Sequence, residues 1–128
     1  MAEPIVFISR FRVRPGAADA FAKAFTEGIA LIAEAKPRTA LFAAYVGGTE
    51  SELRIVHAFP DAEAMSSHFA GSDERAGSIV DLVEPAGFEV FGPAPAQAVE
   101  QLEREAIATG AELHTYPECV GGFLRSLA

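Results

Sequence analysis

Tryptophan is absent from this chain of 128 residues, and cysteine occurs once, as Cys119. One cysteine excludes an intrachain disulfide and any zinc site built on paired cysteines. A lone free thiol fits a reducing compartment. Basic residues are scarce as well. Ten Lys and Arg stand against 18 Asp and Glu, giving a net charge of −8 and an isoelectric point near 4.8. Phosphate backbones call for a basic surface, so the balance argues against nucleic acid as a partner and against an anionic membrane surface. The simplest reading of the acidity is solubility. Long hydrophobic runs are missing: the apolar stretches fall far below the ~20 residues that span a bilayer. The N-terminal MAEPIVFISRF lacks the basic start and apolar core of a secretion signal. Together these absences predict a cytoplasmic protein.

What is present is phenylalanine. With no Trp and two Tyr, the ten Phe must carry the large-residue packing. A hydrophobic fraction of 50% and a charged fraction of 22% are those of an ordinary globular chain. The length suits a single core.

The most informative stretch is Leu53 to Phe69. Leu53, Ile55, His57 and Phe59 alternate with Arg54, Val56 and Ala58, the period of a two-faced strand. Pro60 ends the strand, having no N–H for a ladder. Asp61 is a favourable N-cap, and Glu63 places a carboxylate in the first helical turn. Ala62, Met65 and Phe69 follow at helical spacing, with His68 beside them. Upstream, Pro4 to Val13 reads as a strand with Ile5, Phe7, Ser9, Phe11 and Val13 on one face, and Pro15-Gly16 turns the chain. Phe21, Phe25, Ile29 and Ile32 stripe a helix from Ala17 to about Ala35. Gly28 inside it suggests close packing on the sheet or a bend. Thr39 to Val46 is a second strand, and residues 47–51 form a hairpin loop. The break at Gly71–Glu74 carries new capping residues, and Ser78 to Val83 reads as a helical turn. Pro85-Ala86-Gly87 leads into a fourth strand, Phe88 to Phe91.

The order β-α-β-β-α-β is the ferredoxin-like arrangement, an α+β fold with a four-stranded antiparallel sheet and two helices on one face. Residues 1–92 make up this unit. Residues 93–128 form an extension, expected to pack on the same domain or across a dimer. It holds a helix from Ala96 to Thr109 ended by Gly110, a fifth strand from Ala111 to Tyr116, and a short terminal strand or clasp over Gly122–Arg125. Val99, Leu102, Leu113 and Phe123 are its expected buried residues. Val6, Ile8, Phe42 and Val56 put apolar side chains on both strand parities. The sheet face away from the helices is therefore expected to meet a second copy of the chain.

The run Val13-Arg14-Pro15-Gly16 after strand one resembles the antibiotic biosynthesis monooxygenase-like members of the dimeric α+β barrel superfamily. So does the series Phe59, Asp61, Ala64, His68 and Phe69. The resemblance spans about residues 4 to 92. It implies a homodimer whose two sheets close a barrel, with a ligand pocket between each sheet and its own helices. Such proteins include cofactor-free oxygenases acting on phenols or quinols, haem-degrading enzymes and isomerases. The haem-degrading branch carries an Asn on strand one, a Trp in the second helix and a His ligand about three turns later. The matching positions here are Ser9, His68 and roughly Ser78, and none agrees. His57 also departs from the acid that many relatives carry before the strand-end aromatic. The implied activity is a cofactor-independent oxygenase, or a related small enzyme, acting on an aromatic or quinol-like molecule. The alternative is a non-catalytic dimeric module that binds a small apolar ligand or serves an assembly.

His57 and His68 are the candidate catalytic residues. A histidine among apolar neighbours can act as a base near neutral pH. It can equally be a core histidine bonded to backbone carbonyls. Ser9, Phe7, Phe25, Tyr45 and Phe59 are the candidate ligand-binding residues, with Ser9, His57 and His68 pointing into one cavity walled by Phe7, Phe25 and Phe59. Arg10 and Arg12 either meet an acidic substrate or pair with acids such as Glu52. Three dispersed histidines lack the convergence a metal needs, and Gly47-Gly48 and Gly121-Gly122 open no helix that would bind phosphate. No metal or cofactor is expected.

Overall fold

The computed structural model describes residues 3–48, 51–71, 77 and 79–125. Its strands are β1 (Ile5–Val13), β2 (Leu41–Gly47), β3 (Glu52–Phe59), β4 (Val83–Phe91) and β5 (Glu112–Tyr116). The helices among the described residues are α1 (Ala18–Ala35), α2 (Ala62–Phe69) and α3 (Ala96–Thr109). They build one five-stranded sheet in the order β2-β3-β1-β4-β5. The first four strands are antiparallel and give the ferredoxin-like fold. The fifth lies parallel to β4, which it reaches by the α3 crossover. The sheet is therefore mixed, where the sequence led to an antiparallel one.

Alternation sets the two faces. Ile5, Phe7, Ser9 and Val13 are buried on the helix face of β1, and Leu53, Ile55, His57 and Phe59 are buried beside them on β3. The register pairs Phe7 with His57 and Ser9 with Ile55, and Ser9 also faces Phe88 of β4. β4 begins earlier than its sequence suggests. Pro85, Ala86 and Gly87 form no turn. Phe11 pairs with Pro85 and Arg10 with Gly87, so Ala86 is the extra residue of a bulge. A bulge tolerates a proline, which has no N–H to give. The guanidinium of Arg10 lies across Gly87, where a Cβ would collide with it.

Two clusters fill the helix side. The larger gathers Ile5, Phe7, Phe59, Phe88 and Val90 of the sheet against Ala64 and Met65 of α2 and Ala98, Leu102 and Ala106 of α3. The smaller packs Val13, Leu53, Ile55 and Val83 around Phe21, the buried residue of α1. Burying each large side chain of this kind contributes about 1.5–3 kcal/mol. Gly110 closes α3 in the left-handed conformation, φ 75°, where a side chain would be strained.

The extension divides at its end. Leu102 is buried, and Val99 and Leu113 are half-buried. Phe123 is 75% exposed, and Val120 and Leu124 are exposed beside it. The expected burial of Phe123 against its own domain does not occur. Residues 117–125 form no strand, and all of them but Cys119 are exposed. The capping residues expected at 72–74, Ser78, and Thr49 and Glu50 of the hairpin loop lie outside the described residues. No helix is long and apolar enough to cross a membrane among the described residues.

Candidate functional site

The two clusters do not merge. Phe21 anchors the N-terminal half of α1, and Phe25 stacks on Phe42 of β2 with ring centroids 5.0 Å apart. Beyond Phe25 the helix runs over an open volume. The result is a cavity of about 540 Å³ between the sheet, α1, α2 and α3. Phe7, Ser9, Phe11, Ile55, His57 and Phe88 form its floor. Ala24, Phe25, Gly28, Leu31 and Ile32 of α1 form one wall, and His68 and Phe69 of α2 with Gln101, Leu102 and Glu105 of α3 form the other. An aromatic cavity of this size with few polar groups has the form of a small-molecule site.

Ser9, His57 and His68 are 5%, 6% and 4% exposed and all border this cavity. Strand parity places Ser9 and His57 there. The turn at Pro60-Asp61 brings α2 back over β3 and so delivers His68. The rings of His57 and His68 meet edge to face, centroids 5.1 Å apart. His57 stacks on Phe7 at 4.8 Å. Its Nδ1 lies 3.1 Å from the Phe7 carbonyl oxygen. A carbonyl only accepts, so Nδ1–H donates, and the neutral ring carries its lone pair on Nε2. His68 Nδ1 lies 2.8 Å from Thr39 Oγ1.

The loop between α1 and β2 fixes α2 at both ends. Lys36 Nζ donates to the carbonyls of Ser67 (2.7 Å) and Ala70 (3.1 Å), at the C-terminal end of the helix. Arg38 grips the Asp61 carboxylate with two bonds of 3.1 and 2.6 Å at the N-cap. Asp61 Oδ1 also accepts from the Ala64 N–H at 2.9 Å. The Arg38 hydrogen bond, followed by that of Ala64, holds the Asp61 carboxyl below its usual range, and Arg38 is raised in turn by Asp61. Thr39, one residue on, reaches His68. Three residues of one short loop, Lys36, Arg38 and Thr39, thus place α2 and its histidine together.

Other candidates fall elsewhere. Tyr45 is 58% exposed and follows Ala44 on β2, so it points to the opposite sheet face and does not join the cavity. The alternation that brings Phe42 inward turns Tyr45 outward. Phe59 is fully buried behind the histidines, 5.3 Å from the His68 ring, and packs there without lining the cavity. Arg10 lies on the outer face, 4.0 Å from both Glu89 and Glu112. Arg12 shares its strand parity. His114 is exposed beside Glu112, and Cys119 is half-buried. Among the described residues no cluster of three His, Cys, Asp or Glu side chains converges as metal ligands would. Sequence reading missed Thr39, Gln101, Leu102 and Glu105 as site residues. The helical stripe of α3 identifies its core side, but only the crossover shows that this side reaches the cavity.

No protein-family model matches the chain, and no curated protein matches it. Solved structures share its architecture. MupZ from Pseudomonas fluorescens is 15% identical, with a TM-score of 0.60, over 94% of this chain and 95% of that one. SnoaB, a cofactor-independent oxygenase from Streptomyces nogalater, is 19% identical, with a TM-score of 0.61, over 74% of this chain and 97% of its own. Rv0793 from Mycobacterium tuberculosis is 20% identical, with a TM-score of 0.59, over 73% and 97%. The chain therefore shares its fold with these proteins and with structures described as putative antibiotic biosynthesis monooxygenases from Caulobacter crescentus and Bacteroides thetaiotaomicron, 16% and 18% identical. At these identities the likeness concerns the fold.

Proposed function

We propose that the chain is a cofactor-independent oxygenase, or a closely related small enzyme, acting on a phenol- or quinol-like aromatic molecule in the cavity. The observation that carries the reading is the pair of buried, adjoining histidines with Ser9 in an otherwise aromatic cavity. The fold shared with a cofactor-independent oxygenase supports it.

The chemistry needs little from the protein. A histidine, here His68, takes the proton of a ring hydroxyl. The phenolate is electron-rich enough to pass an electron to dioxygen, and the two radicals combine at the ring carbon para to the oxygen. The resulting peroxide loses water and leaves a quinone. A phenol and one O2 thus give one quinone and one H2O, and the proton taken by the histidine leaves with the water. His68 returns that proton to the peroxide as water leaves, with the His57 ring packed against it. Apolar walls keep water from the anion and its radical, and the Ser9 hydroxyl donates to the ligand oxygen.

Oxygen uptake by the purified protein with a panel of phenols and quinols tests this reading. Consumption above the buffer rate, with quinone formed mole for mole, is expected. Uptake at the buffer rate across the panel would favour the alternative of a non-catalytic ligand-binding or assembly protein. We also propose a homodimer formed through the outer sheet face. Tyr45, Leu41 and Tyr116 are exposed there, and Val120, Phe123 and Leu124 extend from the adjoining C-terminal segment. Apolar groups left in water on one chain gain most from a second copy.

A further inference from the structure

Gly28 stands in the middle of α1, an 18-residue helix. Glycine inside a helix is less stable than alanine because it gives up more backbone freedom on folding. The usual reasons for accepting that loss do not apply. Its backbone is helical, and a Cβ added there would meet nothing within 4 Å. Close packing on the sheet, as expected from the sequence, is therefore not its role. The open space beside it is the cavity.

We infer that Gly28 sets the width of the site: the apolar body of the ligand lies against the α1 backbone there, in the space a side chain would fill. The inference rests on the reading that the cavity is the ligand site. A second observation points to an occupant. Ser9, 5% exposed, borders the same cavity from the sheet, and its hydroxyl makes no side-chain hydrogen bond to a described residue. A hydroxyl that opens onto the cavity in this way takes an oxygen from the ligand. Ser9 belongs to the floor and Gly28 to the helix wall. The ligand between them is an aromatic molecule bearing a hydroxyl or carbonyl oxygen, with its ring face toward the helix.

The test is equilibrium binding of 1-naphthol, by calorimetry, to wild type, Gly28→Ala, Gly28→Leu and, as a control on the exposed side of the same helix, Ala30→Leu. Melting temperatures are measured in parallel. Gly28→Ala should melt at or above the wild-type temperature and bind about tenfold more weakly, the usual effect of one methyl group in a tight apolar site. Gly28→Leu should show no binding at millimolar 1-naphthol, and Ala30→Leu should bind as wild type does. Wild-type affinity in Gly28→Leu would overturn the inference, as would a lower melting temperature in Gly28→Ala or no wild-type binding at millimolar ligand. The readout involves no turnover. Failure of the oxygenase chemistry would therefore show as absent oxygen uptake and leave these binding results unchanged.

Discussion

Thr39 shows how much a single side chain contributes to the site. Its hydroxyl is 2.8 Å from His68 Nδ1 and holds the ring in place at the edge of the cavity. Thr39→Val keeps the shape and removes the hydroxyl. One hydrogen bond contributes about 1 kcal/mol, so turnover should fall by roughly fivefold. Thr39→Ser should restore most of it, a rescue that packing alone does not provide. Equal rates in all three proteins would remove Thr39 from the positioning of His68. At this scale the sequence was readable where alternation is strict. Ser9, Phe7 and His57 follow from the parity of β1 and β3. Tyr45 does not, because Ala43 and Ala44 leave both faces of β2 looking alike. Thr39 could not be found at all, since its contact spans 29 positions and depends on how α2 returns over the sheet.

Among the elements, α2 depends most on its neighbours. It has only eight residues, too few for an isolated helix to hold its shape. Asp61 caps one end, and Lys36 and Arg38 tie both ends to the α1–β2 loop. The Asp61 carboxyl is held below its ordinary value of 3.8, chiefly by Arg38. A depressed carboxyl stabilises the fold above its unfolded pKa, and that stability is lost as pH falls through the folded one. Asp61→Asn keeps the cap and removes the charge. Wild type should therefore melt above Asp61→Asn at neutral pH. The gap should close in acid, below the ordinary carboxylate range. A gap independent of pH would assign it to the cap geometry alone. The signals that marked this helix, Pro60, Asp61 and Glu63, were legible because capping is local. The bulge in β4 was not, because Pro85-Ala86-Gly87 has the composition of a turn. Only the pairing with β1 and the Arg10 side chain over Gly87 make it a strand.

Across the whole molecule, apolar surface is left on the side opposite the cavity. Val6, Ile8, Val56 and Phe91 are half-buried in one chain, while Tyr45 and Leu41 are exposed. Phe91 stacks on Tyr116 at 5.0 Å and extends the apolar area to β5. Arg10, Arg12 and Arg54 share that face with Glu89 and Glu112, so it offers charges of both signs to a self-complementary contact. Light scattering at micromolar concentration should give a mass near twice the 13.5 kDa of one chain. A monomer mass would leave the apolar face without the occupant proposed for it. The excess of apolar residues on both strand parities was visible in the sequence. The exposed end of the C-terminal segment was not, because Val120, Phe123 and Leu124 beside polar neighbours resemble a segment that packs on its own domain.

The role proposed for His68, a base in the cavity, is tested by His68→Gln. Glutamine can still bond Thr39 and fills similar space, but it cannot take up a proton near neutral pH. With a phenol or quinol that wild type oxidises, oxygen uptake by His68→Gln should fall by about a hundredfold or more, the contribution of general base catalysis. Its melting temperature and mass should stay close to those of wild type. Uptake within a few fold of wild type would contradict the account. So would lost uptake accompanied by a stability loss of about 1–3 kcal/mol, which is the signature of a core histidine whose partner has been left unsatisfied.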